Sequence, residues 1–383
     1  MVQLDPSSPR PLYQQLADQL RQQIITGAWP AGYRLAPELE LAAQLGVSRG
    51  TVRQAMDLLV DQGLLQRTPG KGSFVRASDG QVRSQLIGIV VPYLRDSLTT
   101  DVLRGVEATL RRSGYSLIFC HSEGDLQLEG AQIERLLREG VRGLILFPIA
   151  AQDEPALLAR LLPPRLPLVV IDRRLPGVAA DYVLVDNLGG AYRAVEHLLA
   201  LGHRRIACVS LPERPSSVVE RIHGYQQALR DAGILPLAPI DLALHGRPSH
   251  ASVPSYSADE LAPVDQALAM QEPPTAFFCV NDFIALGVLQ HVRARGIRVP
   301  DELAIVGFDD IALAPYMPVP LTTVAQPKYE IGVQAAQALI DQIAGAAASG
   351  RTLILPTSLV VRASTAAPAL AALPTTVLSE PQR

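Results

Sequence analysis

At 383 residues, with 48% hydrophobic and 19% charged residues, the chain is long enough for two or three cores and too apolar to be a disordered polymer. A formal net charge of −3 gives no overall attraction to nucleic acid, so any such role must rest on local charge. No apolar run approaches the roughly 20 residues of a membrane span, MVQLDPSSPR has no signal-peptide core, and Cys120, Cys208 and Cys279 sit singly in apolar runs, so a cytoplasmic chain with reduced, buried thiols is expected.

In chain order, residues 10–76 read as three helices and a hairpin. Leu12, Leu16, Leu20 and Ile24 recur on one face of a first helix, which Gly27 ends before Pro30. A second helix covers Glu38–Leu45 and stops at Gly46. Ser48 then caps a third helix whose inner face is Val52, Ala55, Met56 and Leu59, closed by Gly63. Leu64–Gln66 and Ser73–Arg76 flank Thr68-Pro69-Gly70-Lys71-Gly72, a hairpin turn.

Residues 77–85 are polar and aperiodic, a linker. From Leu86 to about residue 365, strand-length apolar runs (LIGIVV, SLIFC, GLILFPI, LPLVVI, YVLV, RIACVS, FFCV, ELAIVGF) alternate with helix-like stretches such as Thr99–Ser113, Asn187–Gly202, Val218–Gly233 and Asp282–Gly296. Such alternation predicts an α/β fold of parallel sheets built from βαβ units. This many strands calls for two lobes, expected over 86–185 with 317–345 and over 186–316 with 346–365. The stretch from Ala366 to Arg383, rich in Ala, Pro and Thr, reads as a mobile tail.

The third helix carries the case for DNA. Arg49, Gly50, Arg53 and Gln54 point away from its apolar face, and the two arginines are four residues apart, an arrangement suited to a major groove. Thr51 near the helix start suits a phosphate contact, and Lys71 in the hairpin turn suits a wing against the backbone. Residues 49–76 hold five cations (Arg49, Arg53, Arg67, Lys71, Arg76) against two anions (Asp57, Asp61). A solvated arginine face on a small helical domain is the competing explanation.

PLYQQLADQLRQQIITGAWPAGYRL, ELAAQLGVSRGTVRQAMDLLVDQGLL and GKGSFV together resemble the winged helix-turn-helix domain of the GntR family over residues 11–76. The resemblance implies a homodimer on a palindromic operator, with candidate DNA contacts at Arg34, Ser48, Arg49, Gly50, Thr51, Arg53, Gly70, Lys71 and Gly72. Two departures stand out. Ala36-Pro37-Glu38 replaces the usual proline-serine-glutamate start of the second helix, losing a serine cap, and Leu39 takes a place often held by a basic residue.

In a two-lobed α/β protein, ligands lie at the carboxyl ends of the strands. The polar residues there are Arg95–Asp96–Ser97, Asp172–Arg173, Asn281–Asp282 and Asp309–Asp310. Carboxylates and amides with an arginine or two suit sugar hydroxyls, although any one of them taken singly is more simply a loop or cap residue. The segments VRGLILFP, LPLVVIDRR, VDNLGGAYRAVEHLLALGHRRIACVS, RIHGYQQAL, PTAFFCVNDFIALGVL, IRVPDELAIVGFDD, PLTTVAQP and SLVVRAST resemble the effector domain of the LacI/GalR regulators, itself similar to periplasmic sugar-binding proteins. That resemblance implies ligand contacts from Asp172, Arg221, Asn281, Asp309 and Gln326. Ser97, Leu98, Thr99, Arg173 and Asp282 are further candidates. Tyr93, Tyr225, Tyr256, Phe283 and Tyr316 are the aromatic residues available to stack on a ring, and the polar segment Leu242–Tyr256 departs from the family pattern.

An enzyme is the first rival, but no G-x-S-x-G elbow, Walker loop or dinucleotide fingerprint is present. His245 and His250 lack further ligands nearby, so neither metal nor cofactor is expected. A transport-type sugar-binding protein without regulatory role is the second rival, which residues 1–76 disfavour. Together the two resemblances imply a DNA-binding repressor of carbohydrate-utilisation genes, released from its operator when a sugar-like effector closes the lobes. A non-sugar effector such as a purine is the alternative. Hinge crossovers are expected near Asp186, Tyr316 and Gly345.

Overall fold

The computed structural model describes residues 4, 10–25, 28–30, 32–61, 63–69, 71–76, 85–94, 97–149, 161–163, 165–175, 177–212, 214–242, 256–345 and 350–368. Gly27, Gly70, Arg95, Asp96, His245, His250, linker residues 77–84, most of 242–256 and residues 369–383 lie outside them, as does the side chain of Ser97. The chain divides into two compact units, residues 1–83 and 84–383.

In the first unit, α1 (Leu12–Ile25), α2 (Glu38–Leu45) and α3 (Arg49–Asp61) precede a hairpin of β1 (Leu65–Thr68) and β2 (Gly72–Val75). Leu16, Leu20, Val52, Ala55, Met56 and Leu59 close a core with Leu35, Leu65 and Val75, as the helical periodicity requires. Gly46 ends α2 in the left-handed region (φ 64°) with its N–H on the Ala42 carbonyl, a geometry that favours glycine. Pro37 precedes α2 and makes no side-chain cap bond, in line with the missing serine. Ser48 Oγ accepts from the Thr51 N–H at 3.0 Å and so caps α3.

The second unit holds two six-stranded sheets. The first is ordered β13 (Thr352–Leu355), β7 (Asp181–Val185), β6 (Leu168–Ile171), β5 (Leu144–Leu146), β3 (Leu86–Val91), β4 (Ser116–His121), all parallel. On one face pack α4 (Ser97–Arg112) and α10 (Lys328–Ile343), on the other α5 (Leu126–Arg138). The second sheet is ordered β14 (Ser358–Val360), β12 (Thr322–Ala325), β11 (Ala304–Asp309), β10 (Ala276–Cys279), β8 (Ile206–Ser210), β9 (Ile240–Asp241). Only β14 runs antiparallel to its neighbour there. It packs with α6 (Asn187–Ala200), α7 (Ser216–Asp231), α8 (Ala262–Leu268) and α9 (Asp282–Ala294). Strands covered on both faces are apolar end to end, which is why β8, β10 and most of β11 are continuously buried.

The lobe boundaries differ from the expected ones. β12 extends the second sheet and β13 the first, so the chain crosses between lobes at Asp186, at Gln326–Pro327 and at Pro356–Thr357, not near Tyr316 and Gly345. Ala366 is also no free tail: its carbonyl accepts from His203 Nε2 at 2.8 Å.

Each lobe is pinned by one glycine-mediated helix pair. A Cβ on Gly332 would lie 2.1 Å from the Val102 carbonyl oxygen, and one on Gly105 would lie 2.2 Å from that of Tyr329, so α4 and α10 touch backbone to backbone. Gly224 of α7 makes the same approach to Leu188 of α6 at 2.2 Å. Alanine in a helix ordinarily stabilises by about 1 kcal/mol over glycine. Here the sign reverses: Gly332→Ala is expected to destabilise the second unit by about 2–3 kcal/mol through overpacking, read as a lower denaturant midpoint with unchanged slope.

Candidate functional site

The first unit presents a basic face built on one carboxylate. Glu38, the first residue of α2, lies 3.3 Å from Arg49 Nε, 3.2 Å from Arg53 Nη2 and 3.4 Å from Arg67 Nη2. Partial burial pushes the Glu38 carboxyl up, but the hydrogen bonds from Arg53 and Arg49 and the charges of Arg53 and Arg67 outweigh it and hold the group below its ordinary range. Arg49 and Arg53 are nonetheless more than half exposed, so their guanidiniums are oriented yet open to solvent. Thr51 Oγ1 sits 2.9 Å from Ser48 Oγ at the N-terminus of α3, and Gly50 lies beside them on the first turn. In the wing, Lys71 is exposed with its N–H on the Thr68 carbonyl. Gly72 at φ 113° lets Arg34 Nε lie 3.3 Å from where a Cβ would stand. Arg34, Ser48, Arg49, Gly50, Thr51, Arg53, Lys71 and Gly72 are thus all placed within one small unit. Gly70 is outside the described residues. The sequence did not single out Glu38 or Arg67 as partners.

In the second unit the polar groups gather at the carboxyl ends of the strands. Arg221 reaches from α7 and is 4% exposed. Its Nε donates to Asn187 Oδ1 at 2.9 Å and its Nη1 to the Val280 carbonyl at 2.7 Å, while Nη1 lies 3.1 Å from Asp309 Oδ1. Its guanidinium covers the Phe308 ring at 3.8 Å. Gln326 Nε2 donates to the same Asp309 oxygen at 2.6 Å, and Gln326 Oε1 is buried with no hydrogen-bond partner among the described residues. Asn281 is adjacent to Val280, but its Oδ1 is occupied in capping α9 through Ile284 N–H at 2.8 Å.

The first lobe offers a second pair of the same kind. Arg173 Nε donates to Asp172 Oδ2 at 3.1 Å, and Arg173 stacks over Phe147 at 5.1 Å. Ser217 Oγ donates to Asp172 Oδ2 at 3.4 Å. Because Ser217 and Arg221 are one turn apart on α7, a single helix face joins the Asp172–Arg173 pair of one lobe to the Asp309–Arg221 pair of the other. Asp172 (φ 67°) and Asp309 (φ 112°) both adopt left-handed backbone at strand ends. Such conformations cost about 1–3 kcal/mol each and are characteristic of ligand sites. Leu98 and Thr99 are buried in the first turn of α4.

Two sequence candidates have a different role. Asp282 is fully buried; its Oδ2 accepts from Ile311 N–H at 2.9 Å and its Oδ1 from Thr323 Oγ1 at 2.5 Å. Burial, reinforced by the nearby Asp309 charge, pushes its carboxyl well up. It ties α9 to the turn after β11 and to β12, and is wholly buried. Tyr225 is likewise in the core, donating to the Ile206 carbonyl at 3.0 Å. Conversely, Asn187, Ser217 and Lys328 were missed; Lys328, at the start of α10 and buried, donates to the Asp310 carbonyl across the lobes. A lysine in the otherwise uncharged AQPKY segment was the available signal.

Residues 12–75 match the model of bacterial regulatory proteins of the gntR family, and residues 195–365 match that of the periplasmic binding protein-like domain. The chain is 36% identical over 338 residues to the arabinose metabolism transcriptional repressor of Geobacillus stearothermophilus, covering 87% of this chain and 91% of that one. The chain belongs to this family of bacterial transcriptional repressors. The regulator is also 34% identical over 288 residues to the HTH-type transcriptional repressor CytR of Escherichia coli strain K12, covering 74% of this chain and 80% of that one. Among solved structures it is similar to the lac repressor dimer bound to operator and the anti-inducer ONPF, with TM-score 0.63, 26% identity and coverage of 75% and 96%. A LacI family regulator from Enterococcus faecium with bound ribose gives TM-score 0.61, 27% identity and coverage of 74% and 99%. The regulator is a DNA-binding protein rather than an enzyme. Among its described residues no helix is long and apolar enough to cross a membrane.

Proposed function

We propose that this regulator acts in the cytoplasm as a homodimeric repressor. In this reading it grips a palindromic operator through α3 and the wing, and releases it when a small neutral sugar binds between the lobes of the second unit. The carrying observation is the pair of Asp–Arg couples, one per lobe, meeting on the Ser217–Arg221 face of α7. Each cation there is matched by an anion, so the site has directional acceptors and donors without excess charge, which suits hydroxyls better than a phosphate. The Phe308 and Phe147 faces are already covered by guanidiniums, which favours a sugar over a purine needing a stacking partner. The candidate contacts are Asp172, Arg173, Arg221, Asn281, Asp309 and Gln326, with Ser97, Leu98 and Thr99 at the start of α4 as further ones.

Arabinose, whose metabolism gives one relative its name, and ribose, bound by one structural neighbour, are the first probes. A thermal-shift panel adding other pentoses, hexoses, sugar phosphates and purines tests the reading. A ligand at 100 times its dissociation constant stabilises by about 2.7 kcal/mol. Shifts from neutral sugars are expected; shifts confined to purines or sugar phosphates would overturn the sugar assignment and leave the repressor standing.

On the DNA side, Glu38→Ala is expected to free three arginines from their shared carboxylate while removing an anion from the basic face. Binding to random duplex should tighten and the operator-to-random affinity ratio should fall several-fold, measured by anisotropy at fixed salt.

A further inference from the structure

α5 carries apolar residues on its inner face, Ile133 and Leu136 among them, yet Glu129 on that face is 0% exposed. Burying a carboxyl group costs free energy unless it is used. Glu129 Oε1 accepts the Ile149 N–H at 2.9 Å. Ile149 lies just beyond β5, where the backbone has left the sheet and needs another partner. The carbonyl of the same Ile149 accepts from Arg173 Nη1 at 3.2 Å, and Arg173 Nε in turn donates to Asp172. The Arg173 guanidinium is therefore held on three sides: by the Ile149 carbonyl, by Asp172, and by the Phe147 ring two residues before Ile149. Two of those three belong to one short segment, 147–149, which Glu129 ties to α5.

We propose that Glu129 is a positioning residue for the effector site, fixing the segment Phe147–Ile149 and through it the Arg173 guanidinium. The inference rests on the reading that Arg173 touches the effector. Glu129 itself touches no effector; it acts one hydrogen bond behind Ile149. Its second oxygen, Oε2, is buried without a hydrogen-bond partner among the described residues, so the group gains little there from a full negative charge. Burial pushes its carboxyl up to about 7, against the lowering effect of the Ile149 bond and the Arg173 charge. Near neutrality the protonated acid is well populated, and glutamine is its close isostere, keeping an oxygen for the Ile149 N–H.

The test uses the full-length protein with Glu129→Gln, Glu129→Ala, Arg173→Ala and the Glu129→Ala/Arg173→Ala double variant. Two readouts are taken: the Arg173 Nε–H signal in arginine-labelled NMR spectra without sugar, and calorimetric affinity for arabinose, ribose, xylose, galactose and glucose. Glu129→Ala should move the Arg173 signal toward that of a solvated arginine and weaken sugar binding by about tenfold, the loss of one buried hydrogen bond. Glu129→Gln should leave both near wild type, and adding Glu129→Ala to Arg173→Ala should weaken binding less than twofold further. An Arg173 signal that Glu129→Ala does not move overturns the proposal, as does Glu129→Gln behaving like Glu129→Ala, or equal losses in both backgrounds. If Arg173→Ala keeps wild-type sugar affinity, or if none of the five sugars binds, the sugar-contact reading fails instead, and the NMR arm still decides whether Glu129 positions Arg173.

Discussion

Arg221→Ala is expected to remove the response to effector and to destabilise the second unit by about 3–5 kcal/mol, the usual consequence of leaving one partner of a buried pair behind. The guanidinium is nearly inaccessible and serves four groups at once: Asn187, the Val280 carbonyl, Asp309 and the Phe308 ring. Its removal takes the buried cation from beside the Asp309 carboxylate, which keeps the Gln326 amide and lies close enough to Asp282 to raise that acid's proton affinity. Melting followed by circular dichroism reads the stability loss, and calorimetry with the sugar that binds wild type reads the affinity loss. Arg221→Lys separates the two effects. It keeps the charge opposite Asp309 but loses the planar fork that bridges Asn187 and Val280. Stability should recover in part while effector affinity stays at least tenfold down, a lost charge-assisted hydrogen bond being worth about 1.5–3 kcal/mol. Wild-type effector binding in Arg221→Ala would remove Arg221 from the site.

Arg53→Ala is expected to cost operator binding about 1–3 kcal/mol per half-site while leaving the fold of the first unit intact, since the side chain is over half exposed. If Arg53 reads a base, the loss falls on the operator and discrimination relaxes at one position in each half-site. If it holds a phosphate, affinity for operator and random duplex falls together and the salt slope drops by about 1 per contact. Glu38 favours the first outcome, because a carboxylate at 3.2 Å fixes the direction of the guanidinium, which a phosphate contact does not require. Unchanged operator affinity in Arg53→Ala would remove α3 as the reading element.

Much of this organisation is legible in the sequence because it depends on local periodicity. Helical spacing of Val52, Ala55, Met56 and Leu59 defines the inner face of α3, and with it the outer arginines. The eight apolar runs anticipated as strands are β3 to β8, β10 and β11. The strands β9, β12, β13 and β14 escaped because β9, β13 and β14 lie at sheet edges with little burial and β12 opens on two threonines, and their sheet membership is a tertiary fact. Hence the crossovers were misplaced at Tyr316 and Gly345.

At the site, a carboxylate just past a strand can turn outward or inward, and local sequence does not distinguish them. Asp309 turns to Arg221, whereas Asp282 turns to Ile311 and Thr323. Charged residues at helical spacing from buried apolar ones, Glu129 four before Ile133 and Lys328 three before Ile331, were the readable sign of buried polar work that strand ends do not reveal.

The most direct test is an anisotropy titration of full-length regulator on an operator selected from random duplexes, repeated with arabinose, ribose, other neutral sugars and purines. At least one neutral sugar is expected to weaken operator affinity by about 5–150-fold, the usual range of allosteric coupling. Arg221→Lys, which keeps the charge beside Asp309, should need at least tenfold more sugar for that effect while binding the operator as tightly as sugar-free wild type. Operator affinity indifferent to every neutral sugar would contradict sugar-controlled repression.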